Sequence, residues 1–230
     1  MSADSLAPQQ ERSRETVARL LKATIEMLEE HGLDGATIPR IAEAAGVAPA
    51  SVYRRFEDRN ALFRAALTDA LEKSATVVRK TLRLESFEDQ SLAGVVARIV
   101  RMTLQQYHVQ PGLMRALTRF VETDPDKHFR STALALLSAN FEQLTDLLLA
   151  FKDEIPHPNP RRAITFGLLT MATIIEVRAL EQVSMWHELL PMADRELHAE
   201  VTQNVLAYLR SSRTLRRPKT KTRARPRRRA

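Results

Sequence analysis

The chain contains no cysteine. That excludes a disulfide framework, a thiolate zinc site and a cysteine nucleophile, and it fits a reducing compartment. Glycine is scarce, at six in 230 residues, and aromatics make up only 5%. With Leu, Ala, Arg and Glu abundant, this is an all-helical composition. The N-terminus has no apolar h-region, so no signal peptide is expected. The longest apolar-rich run, Ile164–Ile175, is interrupted by Thr and Gly. It falls short of the roughly 20 residues that span a bilayer, so it reads as a buried core helix and no membrane partner is expected. There is no Gly-rich phosphate loop and no G-x-S-x-G. The six histidines are scattered without metal-ligand spacing, and His187-Glu188 does not continue into H-E-x-x-H. No metal, no cofactor and no enzymatic activity are expected. Nothing alternates with period two long enough to argue a sheet, and there is no internal repeat.

What the chain does have is length and a located charge. At 230 residues it holds one domain or two, and either case buries a real core. The net charge of +7 divides unevenly: residues 1–60 carry −2, residues 61–212 carry −1, and residues 213–230 carry ten basic residues and no acid. The globular part is nearly neutral and the tail supplies the basic character. The acidic clusters Asp124–Asp126 and Asp153–Glu154 read as helix ends in solvent.

Residues 1–10 read as a disordered leader. Glu11–His31 reads as an amphipathic helix, because Val17, Leu20, Leu21, Thr24, Met27 and Leu28 recur at helical spacing. Gly32 follows where a left-handed cap residue belongs. Thr37 suits the N-cap of the next helix, with Pro39 in its first turn. Ile41, Ala42 and Ala45 form its inner face. Gly46 ends it, and a third helix runs from Ala48–Pro49 to about Arg55. A fourth opens after Asp58 and extends to about Leu84. Further helices are expected near 91–109, 111–122, 127–152, 160–187 and 191–210, with prolines at the joints.

The informative stretch is residues 37–56, TIPRIAEAAGVAPASVYRRF. Two short helices crossing closely need small residues at the contact, which Ala42 and Ala45 supply. The tight turn wants a residue tolerant of positive φ, which Gly46 supplies. Val47, Val52 and Phe56 anchor the second helix, so Pro49, Ala50, Ser51, Tyr53, Arg54 and Arg55 face outward. That is the build of a helix-turn-helix, whose second helix enters the DNA major groove.

Those residues carry a family resemblance. The frame Leu20–Leu62 resembles the N-terminal domain of the tetracycline-repressor (TetR) family. Thr37 stands at the helix-two cap, and Ile41-Ala42, Ala45-Gly46-Val47, Val52-Tyr53, Phe56, Arg59 and Leu62 follow in register. The resemblance implies phosphate contacts at Thr37 and Tyr53, and contacts to base edges or backbone at Pro49, Ala50, Ser51 and Arg54. Arg59 stands where the family usually has a phosphate-binding Lys, and Arg40 and Arg55 complete the expected DNA face. Ala48 replaces a frequent capping Ser, which removes a cap worth about 1 kcal/mol. Ala50 replaces a common Gly, and Arg55 a usual His or Tyr. The pair Arg54–Arg55 suggests stronger phosphate or guanine contact than average.

The expected organisation is therefore all-α: a helix-turn-helix domain over 11–60, a helical ligand-binding and dimerisation domain over 61–212, and a basic disordered tail over 213–230. The resemblance implies a homodimer paired through helices near 160–187 and 191–210, a double-stranded DNA operator as partner, and a small apolar effector. Ala163–Leu180 is apolar over much of its circumference, so it needs cover on more than one side, from a partner subunit or from the domain's own core. Met102, Tyr107, Met114, Phe120, Phe141, Phe166 and Met171 are candidates to line an adaptable apolar cavity or simply to pack a core. Gln106, His108, Asn140 and Glu176 are the polar candidates. The function expected is a sequence-specific transcriptional regulator, a ligand-responsive repressor acting in the bacterial cytoplasm at the nucleoid. The alternatives are a non-specific nucleic-acid binder working through the basic tail, which otherwise serves only solubility, and a helical enzyme with a polar cluster converging in one cavity.

Overall fold

The computed structural model describes residues 6–81, 91–180 and 184–211. The basic tail over 213–230, the first five residues of the leader and the expected end of the fourth helix at Leu84 lie outside the described residues. Among those described, every regular element is a helix. In chain order they are α1 (Leu6–Gly35), α2 (Ile38–Ala44), α3 (Pro49–Tyr53), α4 (Arg59–Thr81), α5 (Leu92–Val109), α6 (Pro111–Thr123), α7 (Lys127–Leu149), a 3₁₀ turn (Lys152–Glu154), α8 (Pro160–Leu180), α9 (Met185–Leu189) and α10 (Asp194–Leu209).

The first helix departs from expectation at its start. It begins at Leu6, five residues before Glu11, so residues 6–10 of the expected leader are helical. Gly32 interrupts it with φ 63° and ψ −169°. The positive φ was anticipated, but this ψ lies outside the left-handed helical well, in a region that essentially only glycine occupies. The chain therefore kinks at Gly32 rather than capping, and resumes for one turn before Thr37. α3 stops at Tyr53, short of Arg55. The expected helix over 160–187 is two elements: α8 ends at Leu180, and α9 is separate. Arg178 fixes that second piece by donating to the carbonyl oxygens of Trp186, Leu190 and Met192 at 3.4, 3.3 and 3.1 Å.

The apolar residues gather into two cores, and the boundary does not fall at residue 60. One core joins α1, α2 and α3 to Leu62, Phe63, Leu67 and Leu71 of α4, Leu113, Ala116, Leu117 and Phe120 of α6, and Phe129 and Ala133 of α7. At its centre Phe120 meets Phe63 and Phe129 edge-on, with ring centroids 5.7 and 5.4 Å apart, the favoured geometry for aromatic pairs. The second core joins α5, α8 and α10 to Leu147 and Leu148 of α7. α7 thus serves both cores with its two halves. A helix-turn-helix of some 50 residues buries too little surface to stand firmly alone. Here α4, α6 and α7 complete its core, and that ties it to the rest of the molecule.

α8 corrects another expectation. The helix extends well beyond the run Ile164–Ile175, and by length and composition it is long and apolar enough to cross a membrane. Its buried residues, Ala163, Ile164, Gly167, Leu168, Met171 and Ile175, nevertheless belong to the second core beside α5 and α10.

Candidate nucleic-acid interface and effector region

The helix-turn-helix forms for the reasons its composition suggests. Ile41, Ala42 and Ala45 are buried, and the small side chains let α2 and α3 approach. Gly46 turns the chain with φ 65°. Val52 is buried, and half-buried Phe56 and Val47 pack against the same core. With that face pinned, the opposite face of α3 is open: Pro49, Ala50, Tyr53 and Arg54 are all exposed, Tyr53 at 59%.

The arginines behave differently from one another. Arg54 donates from its guanidinium to the Ser51 hydroxyl at 2.7 Å, so an exposed group is held in one orientation. Arg55 folds back to the Ser51 carbonyl at 2.9 Å and is half-buried, with its Nε enclosed and unpartnered. Adjacent residues on a helix point about 100° apart. Because Val52 and Phe56 fix the inner face, only one of the pair can look outward, and it is Arg54. The expectation of two arginines acting together thus differs from the geometry.

Arg59 opens α4, with its guanidinium carbon 5.3 Å from the Phe63 ring centroid. Stacking uses the flat face of the guanidinium and leaves its N–H fork in the plane of the group. Asp58 caps that helix by accepting from the Ala61 N–H at 2.6 Å. Thr37 is the N-cap residue of α2, yet its hydroxyl accepts nothing from the helix's own N–H groups. Arg40 is exposed and makes one long contact, 3.4 Å, to the Gly35 carbonyl. Ala48 likewise provides no side-chain cap to α3.

The ties that hold this surface to the other helices gave no signal in the sequence. Arg64 on α4 makes a two-pronged contact with Asp124 at the end of α6, Nε to Oδ1 at 3.1 Å and Nη2 to Oδ2 at 3.2 Å. The Asp124 side chain is 0% exposed, which overturns its assignment to a solvated helix end. This contact, opposed by burial, raises the Arg64 pKa above its ordinary value. Asp126 does cap α7, accepting from the N–H groups of His128 and Phe129. The Phe129 N–H contributes most to holding its carboxyl below the usual range. At the other end of α6, the Leu113 N–H donates to the Glu29 carboxylate of α1 at 2.6 Å. Glu29 replaces the cap that Gln110 does not provide, and its charge suits a helix N-terminus.

The expected effector residues do not converge. Phe120 sits in the first core and Met171 in the second. Phe166 is 52% exposed and Phe141 37%, so neither lines an interior. Met102, Tyr107 and Met114 are half-buried. Of the polar candidates, Gln106 and His108 are exposed, whereas Asn140 and Glu176 are half-buried. Burial, and secondly the Glu176 charge, push the Tyr107 phenol up to about 12.

Residues 20–66 match the family model described as bacterial regulatory proteins, tetR family. Through this domain the chain is similar to the TetR family. It is a DNA-binding transcriptional regulator, of a family whose members are regulators rather than enzymes. The chain is 25% identical over 161 residues, 70% of its length and 80% of the relative's, to the HTH-type transcriptional regulator BetI of Klebsiella pneumoniae (strain 342). Solved TetR-family structures share the fold. A protein assigned to the family from Mesorhizobium loti MAFF303099 superposes with a TM-score of 0.67 at 18% identity, over 86% of this chain and 96% of that one. The regulator FadR of Bacillus subtilis, solved with stearoyl-CoA, does so with a TM-score of 0.58 at 15% identity, over 86% and 99%.

Proposed function

We propose that this chain is a ligand-responsive repressor that binds a pseudo-palindromic operator as a homodimer in the bacterial cytoplasm, at the nucleoid. The observation that carries the reading is the open face of α3, where Tyr53 and Arg54 are exposed above a pinned Val52 and Phe56. Tyr53, Thr37, Arg40 and Arg59 act on phosphates. Pro49, Ala50, Ser51 and Arg54 meet base edges or backbone, and Arg55 serves by bracing α3 from beneath. Two such helices in successive major grooves stand about 34–36 Å apart. A phosphate contact removed weakens all sequences alike, whereas a base contact removed also relaxes preference. Tyr53→Ala and Arg59→Ala are therefore expected to weaken binding about tenfold across sequences, and Arg54→Ala to weaken it and flatten discrimination at one base position. Fluorescence anisotropy on fragments selected from random DNA measures both. If the triple variant binds like wild type while deletion of 213–230 abolishes binding, the tail is the reader and this account fails.

The dimer is supported by α8. Its exposed face carries Phe166 at 52% and Leu169 at 58% exposure, opposite the residues that pack inward. The Phe166 ring lies 5.1 Å from Tyr208 of α10, so the two helices present one apolar edge. Large apolar groups on one face call for a cover, and a second copy of α8 and α10 supplies it with two-fold symmetry. Phe166→Glu with Leu169→Glu is expected to give a folded monomer by sedimentation velocity. A dimer that persists would move the interface elsewhere.

A ligand shifts the balance only by binding the DNA-incompetent state better. α6 is the element through which such a preference would act, because its two ends are tied to α1 and α4.

A further inference from the structure

Ser51 holds both of the arginines that end α3. Arg54 donates through Nη2 to the Ser51 hydroxyl oxygen at 2.7 Å, and Arg55 donates through Nη1 to the Ser51 carbonyl at 2.9 Å. Ser51 is half-buried and precedes the buried Val52. Arg54 is the C-cap residue of α3, so an untied side chain there can swing past the helix end to the flanking phosphates. The tie turns it the other way. It draws the guanidinium back over three residues, about 4.5 Å along the helix axis, above the N-terminal half of α3. That half is the part of a recognition helix that meets base edges. Among the described residues no carboxylate pairs with Arg54, so its charge is left for DNA.

The tied pair offers donors alone. A guanidinium carries N–H groups and no acceptor, and the Ser51 hydroxyl still has its own hydrogen to donate. In the major groove guanine presents two neighbouring acceptors, N7 and O6. Adenine sets a donor beside its N7, cytosine presents a donor, and thymine an acceptor beside a methyl group. Resting on the reading of α3 above, we infer that Arg54 reads a guanine in each half-site, and that Ser51 is the positioning residue that makes it a base reader rather than a phosphate contact. A side chain already held in its working orientation has less freedom to lose on binding. The groove also expels the water that competes for an exposed hydrogen bond, so the tie strengthens where it is used. Residues three apart share a face of a helix, which is why Arg54, and not Arg55, reaches the Ser51 hydroxyl.

Fragments selected from random DNA by the full-length protein supply the operator, and fluorescence anisotropy measures each change made in it. 7-Deazaguanine, which lacks the N7 acceptor, replaces each guanine of a half-site in turn. At one of them it is expected to weaken wild type about tenfold, the scale of a lost two-pronged base contact, and to weaken Arg54→Ala no further. Hypoxanthine at that position keeps N7 and O6, and wild type is expected to tolerate it. The second readout is the ratio of affinities for guanine and adenine there. Ser51→Ala is expected to cut that ratio about fivefold, Ser51→Thr to restore it through its hydroxyl, and Ser51→Ala combined with Arg54→Ala to match Arg54→Ala alone. Melting curves establish that each variant is folded. A half-site with no guanine sensitive to the loss of N7 would overturn the inference. So would Ser51→Ala that weakens guanine and adenine sites alike with the ratio intact, because Ser51 would then support α3 or touch the DNA backbone only. Both of those results leave the wider reading of α3 standing. That reading falls only if the triple variant of Tyr53, Arg54 and Arg59 binds the selected fragments like wild type, and such a result would take this inference with it.

Discussion

Gly112→Ala is expected to lower stability by about 2 kcal/mol and the melting temperature by roughly 4–8 °C. The substitution looks favourable in isolation, because alanine gains up to about 1 kcal/mol over glycine within a helix. Contact geometry decides otherwise. A Cβ at residue 112 would lie 2.0 Å from the Glu29 carbonyl oxygen and 2.9 Å from its carbon. Those are backbone atoms of α1, so no rotamer change relieves the overlap and the start of α6 must move away. That movement also stretches the 2.6 Å contact between Glu29 and the Leu113 N–H. The comparison is Gly167→Ala. There the new methyl would meet Val205 at 3.4 Å and Leu209 at 3.9 Å, ordinary side-chain contacts, and the helix gain is expected to survive. Thermal melts of the two variants check the contrast. Equal effects would mean that the close approach of α6 to α1 is not maintained in solution. The altered α6 is also expected to weaken DNA binding, because α1 carries the chain directly into Thr37 and α2.

Arg64→Ala is expected to cost more, about 3–5 kcal/mol by denaturant titration, as for other buried ion pairs that lose one member. The Asp124 side chain has no exposure, and without Arg64 its charge keeps, among the described residues, the Asp126 N–H at 2.8 Å. Arg64→Lys is expected to recover little, because an ammonium cannot reproduce two parallel N–H bonds to one carboxylate. Arg64→Met combined with Asp124→Leu should recover most of the loss, since replacing a buried pair by apolar groups of similar volume is often neutral. A single Arg64→Ala variant as stable as wild type would show that Asp124 is hydrated rather than sealed. The pair lies at the far end of α6 from Glu29, so the two variants probe separate anchors of one helix. Their effects on stability should add, as for sites without shared partners.

The sequence was most legible where a local rule acts alone. The two-helix motif could be read because its requirements are consecutive: small residues at the crossing, glycine at the turn, apolar anchors at i and i+4. Most later helices could be placed because proline marks their joints, as Pro111 and Pro160 do at the first residues of α6 and α8. The candidate cavity was not legible. Phe120, Phe166 and Met171 have the same chemistry in sequence, and only packing sends one to each core and one to the surface. Asp124 looked like a helix-end acid because nothing in its neighbourhood announces Arg64, 60 residues away. Arg55 looked equivalent to Arg54 until the helix rotation was fixed by what lies beneath it.

By itself, then, the order of residues determined the helical class, the two-helix motif around Gly46 and its family resemblance, since each rests on contacts between neighbours in the chain. Tertiary structure alone decided that α4, α6 and α7 finish the core of the DNA-binding unit and that α6 is anchored at both ends. The two anchors of α6 pair residues 60 and 84 positions apart. No short-range rule reaches across such gaps, and the partners are chosen by which surfaces the helices must bury together.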